Sequence, residues 1–213
     1  TSVTAISGTF AQLETIIDDS GAVGSNSKFS GVAAQELTED SGGTISVANA
    51  NKLSGATTGK VTATVATGSL ATLNGLSAAA QPANGDAFAL TLNDTSVDAG
   101  DLATLDSKVD QAGGGSINMN TVVKLTGTLT EAQTFITTKD NFTNNSNVVE
   151  IDLSGTIGDA AAVDTLSTDI RALSGGTAEI NLTSVTAISG TFAQLETIIA
   201  VSYTHLRAHE TSS

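Results

Sequence analysis

The segment TSVTAISGTFAQLETII fills positions 1–17 and returns letter for letter at positions 183–199. An unbroken match of this length does not arise by chance, so the chain reads as one full period, positions 1–182, followed by the start of the next. It begins with Thr1 rather than Met, and it is expected to be a piece of a longer repetitive protein. Repetition constrains the fold directly. Units that recur in sequence recur in space, and a unit too small to bury its own core must stack on its neighbours.

A shorter repeat lies inside the long one. Apolar pairs three residues apart recur as Phe10/Leu13, Leu70/Leu73, Leu102/Leu105, Ala132/Phe135, Val163/Leu166 and Phe192/Leu195. From Leu70 onward the step between pairs is nearly constant, and the step from Phe10 to Leu70 is twice as long, so it reads as two units, the hidden one in the divergent stretch 18–59. Six units of about 30 residues then make up the period. The clear units open with alternating runs at 61–65, 88–92, 121–125, 149–153 and 178–182, the period of a strand. A turn rich in Gly, Ser, Thr, Asn and Asp follows, then a helix start. Thr9 with Gln12, and Thr128 with Glu131, have capping-box spacing, and Ser69, Asp98 and Asp159 are placed to cap in the same way. The stretch 41–58 fits this template poorly.

A helix of two or three turns does not stand alone in water, and neither does a single strand. The expected fold is therefore α/β: an elongated repeat solenoid of strand, turn and short helix, with a parallel sheet and right-handed crossovers. Its plan is loosely similar to a leucine-rich repeat. A parallel β-helix, or stacked all-β repeats, is the rival reading, because Thr is common and the helical segments are short.

Residues 201–211, VSYTHLRAHET, depart in composition from everything before them. They resemble the translation of an adapter used in transposase-made sequencing libraries, with Ala200 standing where the first copy has Asp18. Residues 200–213 are accordingly set apart as a non-native tail, and residues 1–199 are taken as the repeat array. The array contains no Cys, His, Tyr or Trp, and a single Pro, Pro82. Those absences remove most of the side chains that perform general acid–base and nucleophilic chemistry near neutral pH, so no enzyme is expected. A net charge of −14 argues against nucleic acid or an anionic membrane as partner. No apolar stretch is long enough to span a bilayer.

The runs 44–65, 60–76 and 90–109 resemble repeats of giant secreted surface proteins of marine bacteria, cyanobacteria among them. The resemblance implies an extracellular or cell-surface location and a structural or spacer role, adhesin-like or surface-layer-like. Neighbouring repeats of the same chain are the implied partners, and the alternative is a module that binds glycan, other surface proteins or itself. Many such giants also carry calcium-binding GGxGxD nonapeptides, a motif missing here.

No cofactor is expected beyond a weak calcium candidate. Asp94, Asp98 and Asp101, in NDTSVDAGD, form the best acidic cluster, and Ca²⁺ wants six to eight oxygen ligands. The competing and favoured reading has Asp98 capping a helix and Asp101 in its first turn, where the dipole favours negative charge. Asn93, Asn141, Asn144 and Asn181 match the glycosylation pattern through composition alone, and Gly113, Gly114 and Gly115 read as a turn rather than a phosphate loop.

Overall fold

The structure, a computed structural model, describes residues 3–20, 28–77 and 86–198. The tail from position 200 onward therefore lies outside the described residues. In chain order the elements are β1 (Ala5–Gly8), α1 (Phe10–Asp18), β2 (Glu36–Glu39), α2 (Val47–Ala56), β3 (Val61–Thr64), α3 (Leu70–Leu73), β4 (Ala87–Thr91) and β5 (Ser96–Asp98). There follow α4 (Ala99–Asp106), β6 (Ser116–Asn118), β7 (Lys124–Gly127), α5 (Leu129–Thr138), β8 (Phe142–Thr143), β9 (Glu150–Ile157), α6 (Ala160–Leu173) and β10 (Glu179–Ile188). Residues 192–198 are helical.

The described residues divide into two compact units, one made of those within 1–94, 101–121 and 140–144, the other of those within 95–100, 122–139 and 145–198. The first holds a sheet in the order β1-β2-β3-β4-β6-β8, the second a sheet in the order β5-β7-β9-β10. All neighbours are parallel. Successive partners along the first sheet are Ala5↔Glu36, Leu37↔Val61, Thr62↔Ala87, Ala89↔Ser116 and Ile117↔Phe142. Along the second they are Ser96↔Lys124, Lys124↔Glu150 and Glu150↔Glu179. Within each sheet, spatial order follows sequence order, and each strand pairs with the next strand of that sheet along the chain.

The α/β class with parallel pairing is as expected, but the described residues form two parallel sheets instead of one. The reason is the brevity of β5, β6 and β8, of 3, 3 and 2 residues, which is too short for alternation to register. The strand expected at 121–125 begins three residues later, at Lys124. Thr121 is engaged elsewhere, its hydroxyl donating to the carbonyls of Leu92 and Asp94 at 3.0 Å each. The divergent stretch 18–59 contains β2 and α2. Ser46 caps α2 by accepting from the Asn49 N–H at 3.1 Å, and Ala50 and Leu53, three residues apart, are both fully buried.

The core follows from register. Val97, Leu125 and Ile151 stand side by side on β5, β7 and β9, with 4%, 0% and 0% of their surface exposed. The flanking residues Lys124 and Glu150, and Thr126 and Asp152, are partners on the opposite face. Leu166 and Ile170 of α6 and Phe135 of α5 are likewise buried in this unit. In the first unit, Phe88, Leu90 and Ile117 do the same work.

Deleting most of a side chain from such a row leaves a cavity that a tightly paired ladder cannot collapse. Ile151→Ala is expected to cost about 2–4 kcal/mol, read as a lower urea midpoint. A loss under about 0.5 kcal/mol, the size of an ordinary surface change, would show that this row is not the core.

Candidate functional site

Two of the three aspartates of the calcium candidate bond amides at a helix start, and the third lies in a first helical turn. Asp94 accepts from the Leu70 N–H, at the start of α3, at 2.5 Å. Asp98 accepts from the Gly100 N–H at 2.9 Å, and Asp101 lies in the first turn of α4. The carboxylates of Asp94 and Asp98 therefore meet amide groups that a helix start leaves without an intrahelical partner. Among the described residues no group of three or more His, Cys, Asp or Glu side chains is placed to hold a metal ion.

A buried carboxylate that sequence reasoning missed is Asp86, 1% exposed. It accepts from the Ser54 hydroxyl at 2.5 Å and from the Val61 N–H at 2.9 Å, joining α2 to the start of β3. Its signal is faint, a polar residue immediately before the apolar run of β4. The asparagines of the glycosylation pattern include Asn141, which donates to Asp106 at 2.9 Å, and Asn144, which donates to Asn118 at 2.8 Å.

On the outer face of the second sheet, Lys124 pairs with Asp152 and, at 3.6 Å, with Glu150. The hydrogen bond from Lys124 to Asp152 holds the ammonium above its ordinary pKa. In the first unit, Lys52 of α2 bridges Glu14 and Asp18 of α1, each at 2.9 Å, and the bond to Glu14 raises its pKa too. Both cations neutralise acids within a strongly acidic chain.

The most regular feature is a glycine followed by a capping box. Thr9 accepts from the Gln12 N–H while Gln12 Oε1 accepts from the Thr9 N–H at 2.9 Å; Thr191 and Gln194 repeat this, and Thr128 and Glu131 do the same with a carboxylate. The side chain at the third helical position folds back over the preceding glycine. A Cβ on Gly8 would lie 2.9 Å from Gln12 Oε1, and one on Gly127, at φ +145°, would lie 2.9 Å from Glu131 Oε2. Glycine, capping Thr and Gln or Glu thus form one device that turns a strand end into a helix.

The Thr128 N–H, then its hydroxyl, holds the Glu131 carboxyl below its ordinary pKa. The cap's contribution is therefore present above the ordinary carboxylate range and lost as pH falls through the depressed value.

The identical segments lie at the ends of different sheets. β1 ends the first sheet and pairs with β2, while β10 ends the second and pairs with β9. Edges of this kind expose backbone donors and acceptors that another strand can satisfy. No protein family, curated protein or solved structure matches the chain.

Two outcomes are expected here. After correction for intrinsic rate, the Thr128 amide exchanges faster on acidification in the native chain but not in Glu131→Gln, whose amide can act as Gln12 does; equal responses would remove Glu131 from the cap. Asp98→Asn keeps the acceptor and changes stability by under about 0.5 kcal/mol, Asp98→Ala costs about 1 kcal/mol, and both values are the same in calcium and in EDTA. A calcium-dependent difference would make Asp98 a ligand.

Proposed function

We propose that the chain is a structural spacer module of a large secreted or cell-surface protein, a solenoid segment that gains length by stacking strand upon strand. One observation carries this reading: within each sheet every strand is parallel to its neighbours and follows them in sequence order, one unit further along the chain at each step. A chain built this way adds the next unit at its growing edge without rearranging the previous one. The exact recurrence of residues 1–17 at 183–199 supports continuation of the pattern from one period to the next. Acidity keeps such a segment soluble and self-repelling, and among the described residues no helix is long and apolar enough to cross a membrane. We assign it no catalysis and no resident cofactor. Its first partners are neighbouring repeats of the same protein.

Growth with period number tests this reading. Each rung adds about 4.8 Å, so six units lengthen the particle by about 30 Å. Small-angle scattering from chains of one, two and three periods should show the maximum dimension rising by that increment each time. Growth that instead follows the weak power law of a compact globule would refute the spacer.

A further inference from the structure

The identical copies share their local structure and differ in what they pair with. Both carry the same capping box, and in both the helix opens with an N–H to C=O bond at 3.0 Å, Leu13 to Thr9 and Leu195 to Thr191. Their ladders run in opposite directions. In the first copy the carbonyls of Thr4 and Gly8 accept from the N–H groups of Glu36 and Asp40, each at 3.1 Å, facing the following strand β2. In the second copy the Ser189 N–H donates to Ile157 and its carbonyl accepts from Ala160, each at 2.9 Å, facing the preceding strand β9 and the start of α6.

Ser189 corresponds to Ser7, and Thr4 and Gly8 correspond to Thr186 and Gly190. The two sets of residues do not overlap. Alternate residues of a parallel strand serve opposite neighbours, so one segment can satisfy both at once.

Side chains agree. Leu13 is 1% exposed where α1 lies beside α2, while its counterpart Leu195 is only half-buried. Phe10 is half-buried and Phe192 is 78% exposed. Glu14, a partner of Lys52, recurs as Glu196. The backward contact is equally specific, since a Cβ on Gly190 would lie 2.8 Å from Ala160 Cβ.

We propose that residues 183–198 form a docking edge for a second copy of residues 36–56, supplied by the next period of the same protein, so that the repeated segment becomes a strand paired on both sides. Glu36–Glu39 of that copy lies along Ala187–Gly190, its α2 covers Phe192 and Leu195, and its Lys52 meets Glu196. This inference rests on the stacking behind the spacer reading and names the joint between periods.

Residue-resolved amide exchange tests it in two chains, the present one and one in which residues 18–182 follow Ile199. In the present chain the Ser189 amide is expected to be protected and those of Ile188 and Gly190 open. In the longer chain the Ile188 and Gly190 amides slow by roughly tenfold or more, as interior ladder groups do, while Ser189 is unchanged. If they stay open while Ile6 and Gly8 are protected in the same molecule, the docking edge is refuted. Scattering from the longer chain reads the spacer separately: a compact particle with protected amides would overturn the spacer and leave the joint standing.

Discussion

The described fold depends on the hydrogen bond from an N–H on one strand to a carbonyl on the next strand of the same sheet along the chain. Leu37 to Lys60, Val65 to Ala89, Leu92 to Asn118 and Met119 to Thr143 are successive examples, at 2.9 to 3.0 Å. No strand in the first sheet exceeds five residues, and none would persist by itself. Parallel pairing also requires a crossover, and short helices lie in such connections, as α1 does between β1 and β2. The helices in turn rely on the strands, since α3 is a single turn of four residues held by its cap and its buried Leu70 and Leu73.

The parts that were legible in the sequence are those with a local cause. Capping boxes at Thr9 and Thr128 could be read because the box is a contact between residues three apart. The apolar pairs from Leu70/Leu73 to Val163/Leu166 could be read because a helix must turn one face inward. The short strands could not, because Phe142 and Thr143 carry no period of their own; their pairing is set by Ile117 and Asn118, on the preceding strand of the same sheet. The same holds for α2. Its Ala50 and Leu53 pair is buried, but its intervening Asn and Lys residues dilute the pattern, and only the neighbouring strands reveal it.

The candidate sites divide along the same line. Asp98 was recognisable as a cap from the residues beside it, whereas Asp94 reaches back to Leu70 at the start of α3, and Asp86 reaches Ser54 and Val61, further back still. Neighbours in sequence thus serve amides at very different distances along the chain, Asp98 the Gly100 N–H two residues on and Asp94 the Leu70 N–H. The chain's abundant Asp, Ser and Thr thus serve the same end as its strands, satisfying the polar groups that stacked short elements leave open.

The ladder itself is the central claim, and scalar couplings across hydrogen bonds, measured by NMR, observe it directly. Couplings are expected from the amide nitrogens of Leu37, Leu92 and Met119 to the carbonyl carbons of Lys60, Asn118 and Thr143, and from Ser189 to Ile157. Couplings that instead joined each strand to its nearest sequence neighbour in antiparallel hairpins would contradict it.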